Sequence, residues 1–89
     1  MRFAVTRLCG GQALMVASSE IFIADLEEAA QKLSVDGFTK KKNEDDLMMI
    51  FDWKGMEVTL YPQGKVMFYP LSEKNLAIEY ATMIFDKVC

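Results

Sequence analysis

The pattern of apolar and polar positions is clearest over Glu57–Val88. Two alternating runs, Glu57–Tyr61 and Lys65–Tyr69, flank Pro62-Gln63-Gly64, and an amphipathic segment follows Pro70 and Ser72. Alternation of this kind is the mark of half-buried strands, and recurrence at three and four residues that of a helix. Leu47–Trp53 is the most apolar run in the chain, and Lys54-Gly55 behind it is a two-residue turn that starts a strand over Met56–Tyr61. Pro70 has no N–H for a ladder and ends the strand Lys65–Tyr69. Ser72 is placed to cap the last helix, with Glu73 at its positive end, and that helix runs to about Val88.

Upstream, Arg2–Leu8 alternates weakly and reads as a strand broken by Gly10-Gly11. Residues 12–17, Gln-Ala-Leu-Met-Val-Ala, either pair back as a hairpin strand or open a helical segment. Ile21, Phe22, Leu26, Ala29, Ala30 and Leu33 recur at helical spacing. The start of that helix falls between residues 19 and 26: Ser18-Ser19 is one signal and the Asp25/Glu28 pair another. Gly37, free to take a positive φ, closes it. Phe38–Lys42 reads as a short edge strand whose three lysines discourage edge-to-edge pairing, and Asn43–Asp46 as the turn after it.

These elements predict an α+β, two-layer sandwich in the order β-α-β-β-β-β-α. A mostly antiparallel sheet of about five strands carries two helices on one face. Pairing about Lys54-Gly55 sets Trp53 opposite Met56, Phe51 opposite Val58 and Met49 opposite Leu60. Pairing about Pro62–Gly64 sets Tyr61 opposite Lys65, Leu60 opposite Val66 and Val58 opposite Phe68. One face then collects Met49, Phe51, Val58, Leu60, Val66 and Phe68 under Leu26, Ala29, Ala30, Leu33, Leu76, Tyr80, Ala81, Ile84 and Val88 of the helices. The other face collects Met48, Ile50, Asp52, Glu57, Thr59, Tyr61, Lys65, Met67 and Tyr69. Five of these nine are Met, Ile or Tyr, on a side where antiparallel sheets are usually polar. Methionine suits adaptable binding surfaces, and contiguous apolar patches mark interaction sites. The candidate interaction face is therefore Met48, Ile50, Thr59, Tyr61, Lys65, Met67 and Tyr69, with Lys41, Asp52 and Glu57 at its rim.

Composition narrows the chemistry. At 89 residues, residues 1–89 make a single domain, with residues 1–20 the least defined by pattern. The hydrophobic fraction of 52% calls for burial in a core or a partner. No apolar run reaches the ~20 residues of a bilayer span, and the first residues lack a signal-peptide core, so no membrane association and a cytoplasmic location are expected. The net charge of −3 disfavours phosphate-driven nucleic-acid binding, and Lys40-Lys41-Lys42 is followed at once by Glu44-Asp45-Asp46. With no histidine and two separated cysteines, Cys9 and Cys89, there is no Cys–His nucleophile, no Ser–His–Asp triad and no ordinary zinc site. Both thiols are expected to be reduced in a cytoplasmic protein. Asn43–Asp46 lacks the spacing of a calcium loop and reads as a solvated hairpin tip. Trp53 at its hairpin end reads as a lid on the core, with a cation–π turn on Lys54 as the alternative. No catalytic residue, cofactor or metal is assigned, and a small enzyme is the third-ranked reading.

The order strand–helix–four strands–helix, with Gly64-Lys65-Val66 opening the last strand and Ala77, Tyr80, Ala81 and Ile84 in the last helix, resembles one repeat of the TATA-box-binding protein. Val58-Thr-Leu-Tyr-Pro-x-Gly-Lys-Val-Met-Phe-Tyr-Pro-Leu71 is also similar to a family of small, uncharacterised archaeal proteins with a TATA-binding-like or helix-grip fold. The resemblance covers roughly residues 37–88. It implies the fold, and a sheet face turned toward a partner. Duplex recognition on that plan would need a dimer, and Asp52 and Glu57 would repel phosphate. Single strands would stack on Tyr61 and Tyr69 beside Lys65 and Lys41. The favoured function is non-enzymatic binding through the open face, to a protein partner or as a homodimer, with nucleic acid second.

Overall fold

A computed structural model describes residues 3–18, 25–43 and 47–88. Six strands form one antiparallel sheet: β1 (Phe3–Leu8), β2 (Ala13–Ser18), β3 (Thr39–Asn43), β4 (Met49–Trp53), β5 (Met56–Tyr61) and β6 (Lys65–Tyr69). Their spatial order is β1-β2-β6-β5-β4-β3. Two helices, α1 (Leu26–Ser34) and α2 (Lys74–Val88), supply the second layer.

The central register follows from turn chemistry. Lys54 and Gly55 both have positive φ, 53° and 76°, as a two-residue hairpin turn matched to the strand twist requires. That turn sets Trp53 opposite Met56, Phe51 opposite Val58 and Met49 opposite Leu60. Gly64, φ 91°, closes the next turn with its N–H on the Tyr61 carbonyl at 3.2 Å. Val58 then faces Phe68, Leu60 faces Val66 and Tyr61 faces Lys65. All six pairs are those expected from the alternation.

The strand count differs from expectation. Residues 13–18 are a strand, so the sheet has six strands rather than about five, and the described order is β-β-α-β-β-β-β-α. β2, not β1, lies beside β6, with Leu14 opposite Phe68 and Val16 opposite Val66. β1 pairs outside it as an edge. Leu14 and Val16 are fully buried and complete the core face. Ala, Leu and Met are good helix formers, and long-range pairing on both sides overrides that preference here.

Smaller corrections concern element ends. The strand expected over Leu47–Trp53 begins at Met49, and Leu47 is exposed. α1 begins at Leu26, within the expected range of 19–26 and at its Asp25 signal; the Asp25 carboxylate accepts from the Glu27 and Glu28 N–H groups at 3.0 and 3.3 Å, an ordinary N-cap. Ile21 and Phe22 lie outside the described residues, as do residues 44–46 of the expected hairpin tip. α2 begins at Lys74, and its first backbone bond runs from the Ala77 N–H to the Glu73 carbonyl at 3.0 Å. The helix entry therefore sits at Glu73 rather than Ser72, whose carbonyl accepts from Arg7 Nη1 at 3.1 Å.

The core lies between the helices and one sheet face. Val58, Leu60, Val66 and Phe68 meet Ala77, Ala81, Ile84 and Phe85 in a single buried cluster. The buried stripe of α2 is rotated from the expected one: Ala77 and Phe85 are buried, whereas Leu76 and Tyr80 are only half-buried. Phe85 explains the rotation, because it stacks on Phe3 of the outer strand at 5.5 Å. At the other side Trp53 stacks on Phe38 at 4.3 Å, meets Tyr80 edge-on at 4.9 Å and donates to the Asp36 carbonyl at 3.3 Å. It is the lid expected of it, and Lys54 Nζ also lies 5.2 Å from its ring centre.

Candidate functional site: the open sheet face

The helices occupy one side of the sheet, and among the described residues nothing covers the other. Cross-strand pairing fixes its layout, because residues directly opposite share a face. A middle row runs through all six strands: Thr6, Met15, Met67, Thr59, Ile50 and Lys42. On one side of it lie Ala4, Ala17, Lys65 and Tyr61. On the other lie Tyr69, Glu57, Asp52 and Thr39. The expected face residues from Ile50 to Tyr69 are thus brought together; Met48 precedes β4 at the same parity and is half-buried. Met15 was missed because its strand was not assigned.

The apolar row is largely screened from solvent. Met15, Ile50 and Met67 are half-buried. Thr59, expected on an exposed face, is only 2% exposed, and Ala13 of β2 only 1%. Both are small side chains between longer cross-strand neighbours, and no described helix lies over them. Tyr69, 41% exposed, is the most open large hydrophobic side chain of the described face.

The charged rim is organised by an irregularity in β3. Lys40 pairs with Phe51 and Lys42 with Ile50, so the register shifts at Lys41. A bulge of this kind re-aims a side chain, and here it turns Lys41 onto the open face. Its Nζ lies 3.2 Å from Glu57 Oε2 and 3.9 Å from Asp52 Oδ1. The two carboxylates face each other across β4 and β5 with the ammonium between them. The bulge also blunts the β3 edge, which already carries three lysines.

Asp52 and Glu57 are paired with a lysine on an open surface, and among the described residues no enclosed site surrounds them. Among the described residues no group of three or more His, Cys, Asp or Glu is placed to hold a metal. Tyr61 and Tyr69 stand on opposite sides of the middle row. They do not form one stacking track, and Lys41 is engaged by carboxylates rather than presented to a phosphate. No described helix is long and apolar enough to cross a membrane. A separate cleft of about 310 Å³, lined by Gly11, Gln12, Pro70, Leu71, Ser72 and Glu73, lies where the Leu71 N–H meets the Gln12 carbonyl at 2.8 Å. Among its described lining residues Glu73 is the one ionisable side chain, and Arg7 Nη1 reaches the neighbouring Ser72 carbonyl at 3.1 Å.

No family model, curated protein or solved structure matches this chain.

Proposed function

We propose that the protein is a non-enzymatic binding module whose open sheet face docks on another protein surface. The observation that carries this reading is the middle row: Met15, Met67, Thr59 and Ile50 form an apolar band across four strands, with no described element over it. A band of thioether and branched side chains, rimmed by charge, has the composition of an interface centre. The favoured partner is a protein, either a different chain or a second copy.

The order strand–helix–four strands–helix runs from β2 to α2, which supports the resemblance to a single TATA-binding-protein repeat and to the small archaeal helix-grip proteins. On this reading β1 is an added edge strand. A cytoplasmic location accords with the same picture and is part of the proposal. Nucleic acid is the second reading. One observation favours it: among the described residues the face carries Lys41, Lys42 and Lys65 against Asp52 and Glu57, on a chain of net charge −3. The separation of the two tyrosines and the engagement of Lys41 count against it.

The double substitution Ile50→Lys with Met67→Lys tests the reading. It places unpaired charge in the centre of any desolvated interface. The expected result is a folded protein that no longer binds its partner in sedimentation or pull-down from native lysate. A folded variant with unchanged association would overturn the proposal. Tight, salt-sensitive binding of a short oligonucleotide, weakened by Lys65→Ala, would promote the second reading instead.

A further inference from the structure

The two edges of the sheet are built differently, and the difference carries an inference independent of the open-face reading. The β3 edge has three lysines in a row and a register shift at Lys41, both recognised ways to stop strands from adding. The β1 edge has neither. Phe3–Leu8 pairs with β2 in unbroken register over six residues, contains no proline, and carries Arg7 as its one charge. On its outer side no described strand follows.

The sequence of β1 is also self-complementary. A two-fold axis through Val5, perpendicular to the sheet, pairs two copies antiparallel with Val5 opposite Val5, Ala4 opposite Thr6 and Phe3 opposite Arg7. On the helix side each Phe3, already stacked on Phe85 at 5.5 Å, meets the aliphatic stem of the second copy's Arg7, whose Nη1 stays on its own chain's Ser72 carbonyl at 3.1 Å. On the open side Ala4 and Thr6, both exposed, meet without crowding. No like charges oppose each other. The same operation on β3 would set lysines against lysines. From this contrast we infer that the β1 edge is a dimerisation edge at which a second copy of this chain adds its own β1 antiparallel, joining two six-stranded sheets into one. Each open face then continues into the other, so a partner docked there would meet a surface twice as wide.

The test uses sedimentation velocity on the whole chain and two charged variants. The unmodified protein is expected to dimerise. Ala4→Lys with Thr6→Lys puts lysine opposite lysine twice across the axis, and should weaken association about 100-fold while the thermal midpoint stays nearly constant. Ala4→Glu with Thr6→Glu should be equally monomeric, and an equimolar mixture of the two variants should form a one-to-one heterodimer. Ile50→Lys with Met67→Lys should leave this dimer intact, so failure here and failure of the open-face reading are distinguishable. Amide hydrogen exchange on the unmodified protein gives an answer even if a charged variant does not fold: alternate β1 amides should slow at least tenfold as concentration rises. A strictly monomeric unmodified protein with concentration-independent β1 exchange overturns the inference, and so does a lysine variant that stays dimeric.

Discussion

The two faces of the sheet are made from the same strands, residue by residue in alternation, yet they have opposite fates. Val58, Leu60, Val66 and Phe68 are at most 1% exposed because α1 and α2 close over them. Met67 and Tyr69, which alternate with these residues, are half-buried and exposed, and Thr59, 2% exposed, is screened with no described helix over it. Apolar character alone therefore does not make the core. A second layer does, and the strands offer apolar side chains to both sides while the chain supplies described helices for one. What distinguishes the faces is that described helices lie over one of them.

The largest test of this contrast compares adjacent residues. Phe68→Ala opens a cavity in the sealed face and should cost about 3–5 kcal/mol; in a domain of this size that is much of its stability. Met67→Ala, one residue away on the open face, should cost about 1 kcal/mol or less. Thermal unfolding of both variants checks the pair; equal losses would mean that the open face is sealed too. Trp53→Ala should cost about 3 kcal/mol, because it removes the Phe38 stack, the Tyr80 edge contact and the hydrogen bond to Asp36. Chemical denaturation should show its midpoint lowered with little change in slope. The double change Ile50→Lys with Met67→Lys should cost about 1 kcal/mol, since both side chains are half-buried at the surface. Outright unfolding of that variant would place the middle row in the core. The smallest effect belongs to Lys41→Ala, about 0.5 kcal/mol or less, because the lysine and its two carboxylate partners are all largely exposed. Its loss should shrink further in high salt.

How legible these faces were in the sequence depends on the local signal. Lys54-Gly55 and Pro62-Gln63-Gly64 pinned both turns, and period-two alternation then fixed every cross-strand pair from Met49 to Phe68. β2 was left open because Ala13-Leu-Met-Val-Ala-Ser18 has neither strict alternation nor a β-branched majority; small or apolar side chains stand on both of its faces. Its strand state rests on β1 and β6, which are non-local. Phe85 was missed for a related reason: the stripe of α2 turns toward Phe3 at the far edge of the sheet, a contact no helical period announces. On the candidate site, parity placed Ile50, Thr59, Tyr61, Lys65, Met67 and Tyr69 on one face, but it gave no sign of how thoroughly Thr59 would be screened. The pairing of Lys41 with Asp52 and Glu57 required the β3 bulge, and a single extra residue in a strand leaves no clear mark in a run of three lysines.

The central claim is that the open face is completed by a partner. The most direct test is methyl NMR of the methionines in purified protein and in native lysate. Met49, 0% exposed, and Met56, 8% exposed, sit in the helix-covered core and report folding; Met15 and Met67 sit on the open face. With a partner docked, the Met15 and Met67 methyl signals should shift or broaden in lysate while those of Met49 and Met56 stay fixed, and Ile50→Lys should abolish the change. Open-face methyl signals identical in both conditions, on a folded protein, would contradict it.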